Sequence, residues 1–127
     1  MRSPGAGRSV ELTVKRFLCH ADDLPEGSAK GFASRPGADD EAFFALRHRG
    51  RIHAYLNRCP HTGVTLNWMP DAFLDMDGYF VICSTHGALF QPHDGLCVRG
   101  PCVGASLATV SVIETDSRIW LVGEMDG

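Results

Sequence analysis

Cys59-Pro60-His61 and, after a gap of 21 residues, Cys83-Ser84-Thr85-His86-Gly87 are the stretches from which this chain can be read. Together they spell C-x-H…C-x-x-H, one thiol and one imidazole from each of two segments. Four soft donors in that order imply a pair of loops facing each other across a shared metal group. The rest of the sequence then reads as the scaffold that sets the loops in place.

Immediately before the first loop, residues 41–47 and 51–57 are apolar-rich runs joined by His48-Arg49-Gly50, which predicts a β-hairpin leading into Cys59. The second loop lies between two short strands, Tyr79 to Ile82 and Ala88 to Gln91, and the chain turns again at Pro92-His93-Asp94-Gly95. Further out, residues 11–19 read as a first strand, and 107–115 with 118–122 as a closing pair across Asp116-Ser117. Asp22 to Gly27 is a turn cluster with room for one helical turn, and the small, polar segment 28–40 reads as loop. No stretch holds a 3.6-residue apolar period over three turns. Short strands with Gly/Pro turns predict an all-β fold, a small antiparallel sandwich or barrel carrying a cluster-binding subdomain made of two hairpin loops.

The chain has 127 residues, which suits one domain. Residues 1–9 are expected to be a tail and 10–127 the domain, with the metal-binding part at about 57–103. A net charge of −3 without a basic cluster argues against nucleic acid as a partner. The longest apolar runs are four or five residues, for example Tyr79 to Cys83, far below the roughly 20 a membrane helix needs. No signal-peptide core follows the Gly/Pro/Ser-rich start, so a cytoplasmic location is expected. The five cysteines, an odd number, favour metal ligation or thiols over a disulfide framework.

Zinc and iron–sulfur groups both accept Cys and His donors. Zinc-finger grammar keeps like ligands together, C-x₂₋₄-C with H-x₃₋₅-H, whereas here each loop supplies one of each. The mixed order is what a [2Fe–2S] cluster requires when one iron takes two cysteines and the other two histidines. Cys59 and Cys83 would hold the inner iron, and His61 and His86 the outer iron towards solvent. The competing reading is a structural zinc site in an interaction module; metal content and colour separate the two.

On these residues the chain resembles a Rieske-type [2Fe–2S] ferredoxin domain over nearly its whole length. The likeness extends to the lead-in Ala54-Tyr55-Leu56-Asn57 and to Gly95…Gly100-Pro101. In that family the segment matching Gly100-Pro101 is a third loop that covers the cluster. The resemblance implies one [2Fe–2S] cluster per chain and redox-protein partners, a reductase and a terminal oxygenase or other oxidoreductase. Small subunits of NAD(P)H-dependent nitrite reductases are similar too, and Gly95-Leu96-Cys97 resembles them. An oxygenase acting alone would need a separate mononuclear-iron domain, and the chain is spent on the Rieske fold. A role as a subunit of a larger oxidoreductase stays open.

Two thiolates and two neutral imidazoles leave the oxidised cluster with no net charge, which raises its potential into a class range of about −150 to +300 mV. High-potential relatives add a disulfide between the loops and Ser and Tyr hydroxyls on the cluster sulfurs. The matching positions here are Val64 and Thr85 for the cysteines, and Ala88 and Phe90 for the hydroxyls. A potential near the bottom of the range is therefore expected.

Among the other residues, Cys97 and Cys102 flank the third loop and are expected as two packed thiols, a disulfide being the alternative. His20, His48, His53 and His93 are expected on the surface or in turns. Trp68, Met69 and Phe73 are expected to fill the core beneath the loops, or else to form an exposed apolar docking patch.

Overall fold

One six-residue strand, Phe43–His48, has both faces covered and divides the interior in two. Side chains alternate across a strand, so Phe43 and Ala45 point one way and Phe44 and Leu46 the other. The first pair enters a core with Cys19, Leu24, Phe32, Ala54, Ile119 and Leu121. The second enters a core with Tyr55, Leu66, Phe73, Phe90, Leu107 and four cysteines, Cys59, Cys83, Cys97 and Cys102. In this second core the rings of Phe44 and Phe73 stack at 4.3 Å.

The computed structural model describes residues 15–60 and 62–123. Its strands are β1 (Lys15–His20), β2 (Ala29–Phe32), β3 (Phe43–His48), β4 (Arg51–Leu56), β5 (Val81–Cys83), β6 (Ala88–Phe90), β7 (Cys97–Arg99), β8 (Val112–Thr115) and β9 (Arg118–Val122). A 3₁₀ turn, Ala21–Asp23, follows β1. The strands form three antiparallel sheets, β1-β9-β8, β2-β3-β4 and β5-β6-β7. The all-β class is as expected, and among the described residues there is no α-helix. Nor is any described helix long and apolar enough to cross a membrane. The tail expected over 1–9 lies outside the described residues.

Two strands depart from the sequence reading. Ala29–Phe32, read as loop, is β2, with Phe32 opposite Phe43 in β3. Its Ala-Lys-Gly start carries no β-branched residue, so its pairing with the buried β3 sets its conformation. Cys97–Arg99, not read as a strand, is β7 and pairs with β6. The closing pair is shorter than expected: β8 begins at Val112, although Thr109 still bridges to Tyr55 in β4.

The β3–β4 hairpin turns on Arg49 and Gly50, both at positive φ (53° and 79°), which suits the right-handed twist of its strands. The Glu26 carboxylate accepts both their N–H groups, at 2.6 and 2.9 Å, and these bonds hold its pKa below the ordinary range. His48 is buried at the end of β3 instead of lying on the surface; its ring meets Tyr79 edge-on at 5.0 Å. Burial lowers its pKa, with Arg49 adding to the effect.

Beyond β4 the chain makes one long excursion, residues 57–107, and comes back to where it left. The Leu56 N–H donates to the Ala108 carbonyl at 2.9 Å, and the Val110 N–H donates to that of Ala54 at 2.9 Å. Sheet β5-β6-β7 lies wholly within this excursion. Tyr55 ties its far turn to β4, because the buried hydroxyl donates to the Pro92 carbonyl at 2.8 Å.

Candidate metal centre

Both Cys-bearing loops close in the same way. The Gly63 N–H donates to the Cys59 carbonyl at 2.7 Å, and the Gly87 N–H to the Cys83 carbonyl at 2.8 Å. Each is an i→i+4 turn ended by a glycine at positive φ, 80° and 70°. The sequence signal is a glycine four residues after each cysteine, Gly63 and Gly87.

The segment between the loops holds them together. The Ser84 N–H and Oγ–H both donate to the Leu66 carbonyl, at 2.9 and 2.8 Å, and the Cys59 N–H donates to that of Val64 at 2.8 Å. Asn57 is the knot. Its side chain is buried; Nδ2 donates to the Glu41 carbonyl and to Asn67 Oδ1, while Oδ1 accepts the Leu66 N–H at 2.7 Å. A buried amide with three partners fixes the first loop against the spacer. Sequence reasoning placed Asn57 in the lead-in but gave it no such role.

The two cysteines come together in the second core, with Cys59 and Cys83 only 2% and 1% exposed. Their thiols are hydrogen-bonded to each other, and the N–H groups of Thr85 and His86 donate to the Cys83 sulfur. His86 itself is exposed. His61 lies outside the described residues. Of the four candidate ligands, the two sulfurs are thus buried and the one described imidazole lies at the surface.

The donor set suits a cationic group. Burial pushes the Cys83 thiol up, so two neighbouring thiolates here need a positive partner. N–H donors aimed at sulfur favour the thiolate form. The positions beside Cys83 that would add hydroxyl donors are instead the buried Ala88 and Phe90. Val64 and Thr85 are exposed and offer no thiol to link the loops.

The third loop packs on β6 with no space to spare. A Cβ on Gly100 would come within 2.9 Å of Ala88 Cα, and its φ is +105°. Gly100→Ala is expected to push the loop off β6 and to cost about 1–3 kcal/mol. A thermal midpoint equal to that of the parent would overturn this account of the glycine. Behind this loop Cys97 and Cys102 stand as thiols, with their sulfurs 2.9 Å apart and no disulfide.

The spacer's apolar residues divide. Phe73 is fully buried, as expected of core, whereas Trp68 is 74% exposed and Met69 46%. Val64, at 42%, lies beside them in the chain, next to the first loop.

A family model described as the Rieske [2Fe–2S] domain matches residues 15–115. The ferredoxin component of the alkene monooxygenase system of Xanthobacter autotrophicus is 32% identical over 78 residues, 61% of this chain. The match spans 57% of that relative's length. Among solved structures, the ferredoxin of carbazole 1,9a-dioxygenase from Nocardioides aromaticivorans superposes with a TM-score of 0.65 at 20% identity, covering 88% of this chain and 99% of its own. A Mycobacterium tuberculosis protein described as an NADH-dependent nitrite reductase small subunit gives a TM-score of 0.60 at 23% identity, covering 90% and 98%. At these identities the structures share a fold with this chain.

Proposed function

Because the chain belongs to the Rieske [2Fe–2S] domain family, we propose that it is an electron carrier, passing one electron at a time from a reductase to a terminal oxygenase or another oxidoreductase. The observation that carries this reading is the buried thiol pair Cys59 and Cys83 with an exposed His86 beside it. Cys59 and Cys83 would hold one iron of the cluster, and His86 with His61 the other. When bound, the cluster supplies a one-electron couple.

The protein's own part is to hold, shield and expose. Packing around Cys59 and Cys83 keeps water from the sulfurs. The N–H groups of Thr85 and His86 steady the thiolate of Cys83. Ala88 and Phe90 withhold further hydrogen bonds, which keeps the potential near the bottom of the class range, about −150 mV. His86 gives the electron a short way out to a docked partner. Cys19, Cys97 and Cys102 stand as thiols outside the ligand set, which favours a cytoplasmic location.

Ferredoxin components of monooxygenase and dioxygenase systems among the similar proteins favour oxygenase partners. The nitrite reductase small subunit supports the second reading, a subunit of such an oxidoreductase. EPR after dithionite reduction tests the cofactor: a rhombic signal with a low average g is expected. Colourless protein with stoichiometric zinc after anaerobic purification would overturn it. Reduction of the pure protein by an NADH-dependent ferredoxin reductase, followed by reoxidation by an oxygenase, tests the carrier role.

Val64, Trp68 and Met69 make the apolar part of the docking face, at the edge of the first loop and on the spacer bonded to the second. Trp68→Ala is expected to raise the KM for this protein in the reductase or oxygenase assay about tenfold, with an unaltered EPR spectrum, the loss typical of an exposed aromatic anchor. An unchanged KM would remove Trp68 from the interface.

A further inference from the structure

Four of the five cysteines share the second core, yet the metal reading uses only Cys59 and Cys83. Cys97 opens β7, and Cys102 lies in the turn after Gly100-Pro101. The Cys102 S–H donates to Cys97 Sγ across 2.9 Å, and the Cys97 S–H donates to the Arg99 carbonyl at 3.3 Å. The backbone joining them is already a closed ring. The Cys97 N–H donates to the Ala105 carbonyl at 2.8 Å, the Gly104 N–H to that of Cys97 at 3.3 Å, and the Ala105 N–H to that of Cys102 at 2.8 Å. The two sulfurs therefore face each other from the arms of one tight turn. They need to approach by about 0.9 Å to reach the covalent length of about 2.05 Å.

We propose that Cys97 and Cys102 form a thiol–disulfide modification site, which low-molecular-weight disulfides oxidise to an intrachain bond behind the third loop. The thiolate of one cysteine attacks the small disulfide, breaking its S–S bond and releasing one small thiol. The second cysteine, losing its proton, displaces the other small thiol and forms the Cys97–Cys102 bond. The two cysteines give up two electrons and two protons in all, and one small disulfide becomes two small thiols.

Chain entropy favours the intrachain product, because the partners are five residues apart and already in contact. Its rate is another matter. Cys97 and Cys102 are 1% and 6% exposed, so reagent enters only when the turn over 100–104 opens. Burial, with the hydrogen bond to Cys97, also pushes the Cys102 thiol up to about 12, which slows attack further. The pair rests reduced and closes under sustained oxidising conditions. Of the other three cysteines, Cys59 and Cys83 are the proposed ligands in the same core, and Cys19 lies in the first core.

The test uses the purified, cluster-loaded protein, held anaerobically in buffers of increasing oxidised-to-reduced glutathione ratio. Acid quenching, alkylation and peptide mass mapping then count the thiols. The expected result is a fall from five thiols to three and a peptide carrying Cys97 linked to Cys102, with the loss of two hydrogens. The visible spectrum of the cluster is expected to persist, which separates this outcome from failure of the metal reading. Five thiols at the most oxidising ratio, a stable glutathione adduct without closure, or a bond involving Cys59 or Cys83 would each overturn the proposal. Cys102→Ser is expected to keep its remaining four thiols or to stop at a glutathione adduct on Cys97. Should that variant not fold, the peptide map of the parent protein decides alone.

Discussion

Cys83→Ala is expected to yield protein without its cluster, iron falling from two atoms per chain to near zero and the visible absorption disappearing. Cys83 is 1% exposed and its sulfur sits against that of Cys59. With this donor removed, the iron held by the two cysteines would keep a single protein ligand, and the packing around Cys59 and Cys83 would leave little room for water to replace the other. The loop's backbone closure survives, because Gly87 donates to the residue 83 carbonyl and not to its side chain. What is lost is the free energy of metal binding, which in small metal domains is also folding free energy, so the thermal midpoint falls as well. Cys19→Ala is the control. Cys19 is 4% exposed but belongs to the first core, and its replacement is expected to leave the iron content at the parental level. Iron analysis of both variants decides the matter; a coloured Cys83→Ala protein with two irons would remove Cys83 from the ligand set.

His86→Cys is expected to lower the midpoint potential by about 100 mV. That is roughly half the gap of about 250 mV between plant-type ferredoxins, near −400 mV, and the bottom of the Rieske range, near −150 mV, a gap that two His-to-Cys exchanges span. The physical cause is charge: a thiolate in place of a neutral imidazole leaves the oxidised site with one negative charge, and a further electron enters against it. His86 is exposed, so solvent screens part of that charge and holds the shift to this size. Spectroelectrochemistry on a variant whose EPR confirms an intact cluster measures it. An unchanged or higher potential would defeat the charge argument.

The parts of the fold legible in the sequence are those where chemistry is concentrated in a few adjacent residues. Cys59 and Cys83 could be picked out because thiols in loop contexts have few uses, and the hairpin of β3 and β4 because Arg49-Gly50 punctuates two apolar runs. Strand β2 was hidden, since Ala29-Lys30-Gly31 has no preference that its pairing with β3 does not supply. Strand β7 is three residues long, too short for alternation to register. Phe73 and Trp68 lie five residues apart in the same spacer, and nothing local distinguishes the ring that stacks on Phe44 from the one that faces solvent. Asn57 was invisible as a knot because its three partners, at residues 41, 66 and 67, are brought to it only by the fold.

The excursion that leaves after Leu56 and returns at Ala108 has both ends within one hydrogen bond of each other. A segment whose ends meet can be exchanged for another at two neighbouring points without altering the host's strand order. Recombination acting at those two points would then replace a whole redox centre in one event, while β1, β8 and β9 and the first core pass on unchanged. Lineages built this way would diversify their electron chemistry and their structural base at independent rates.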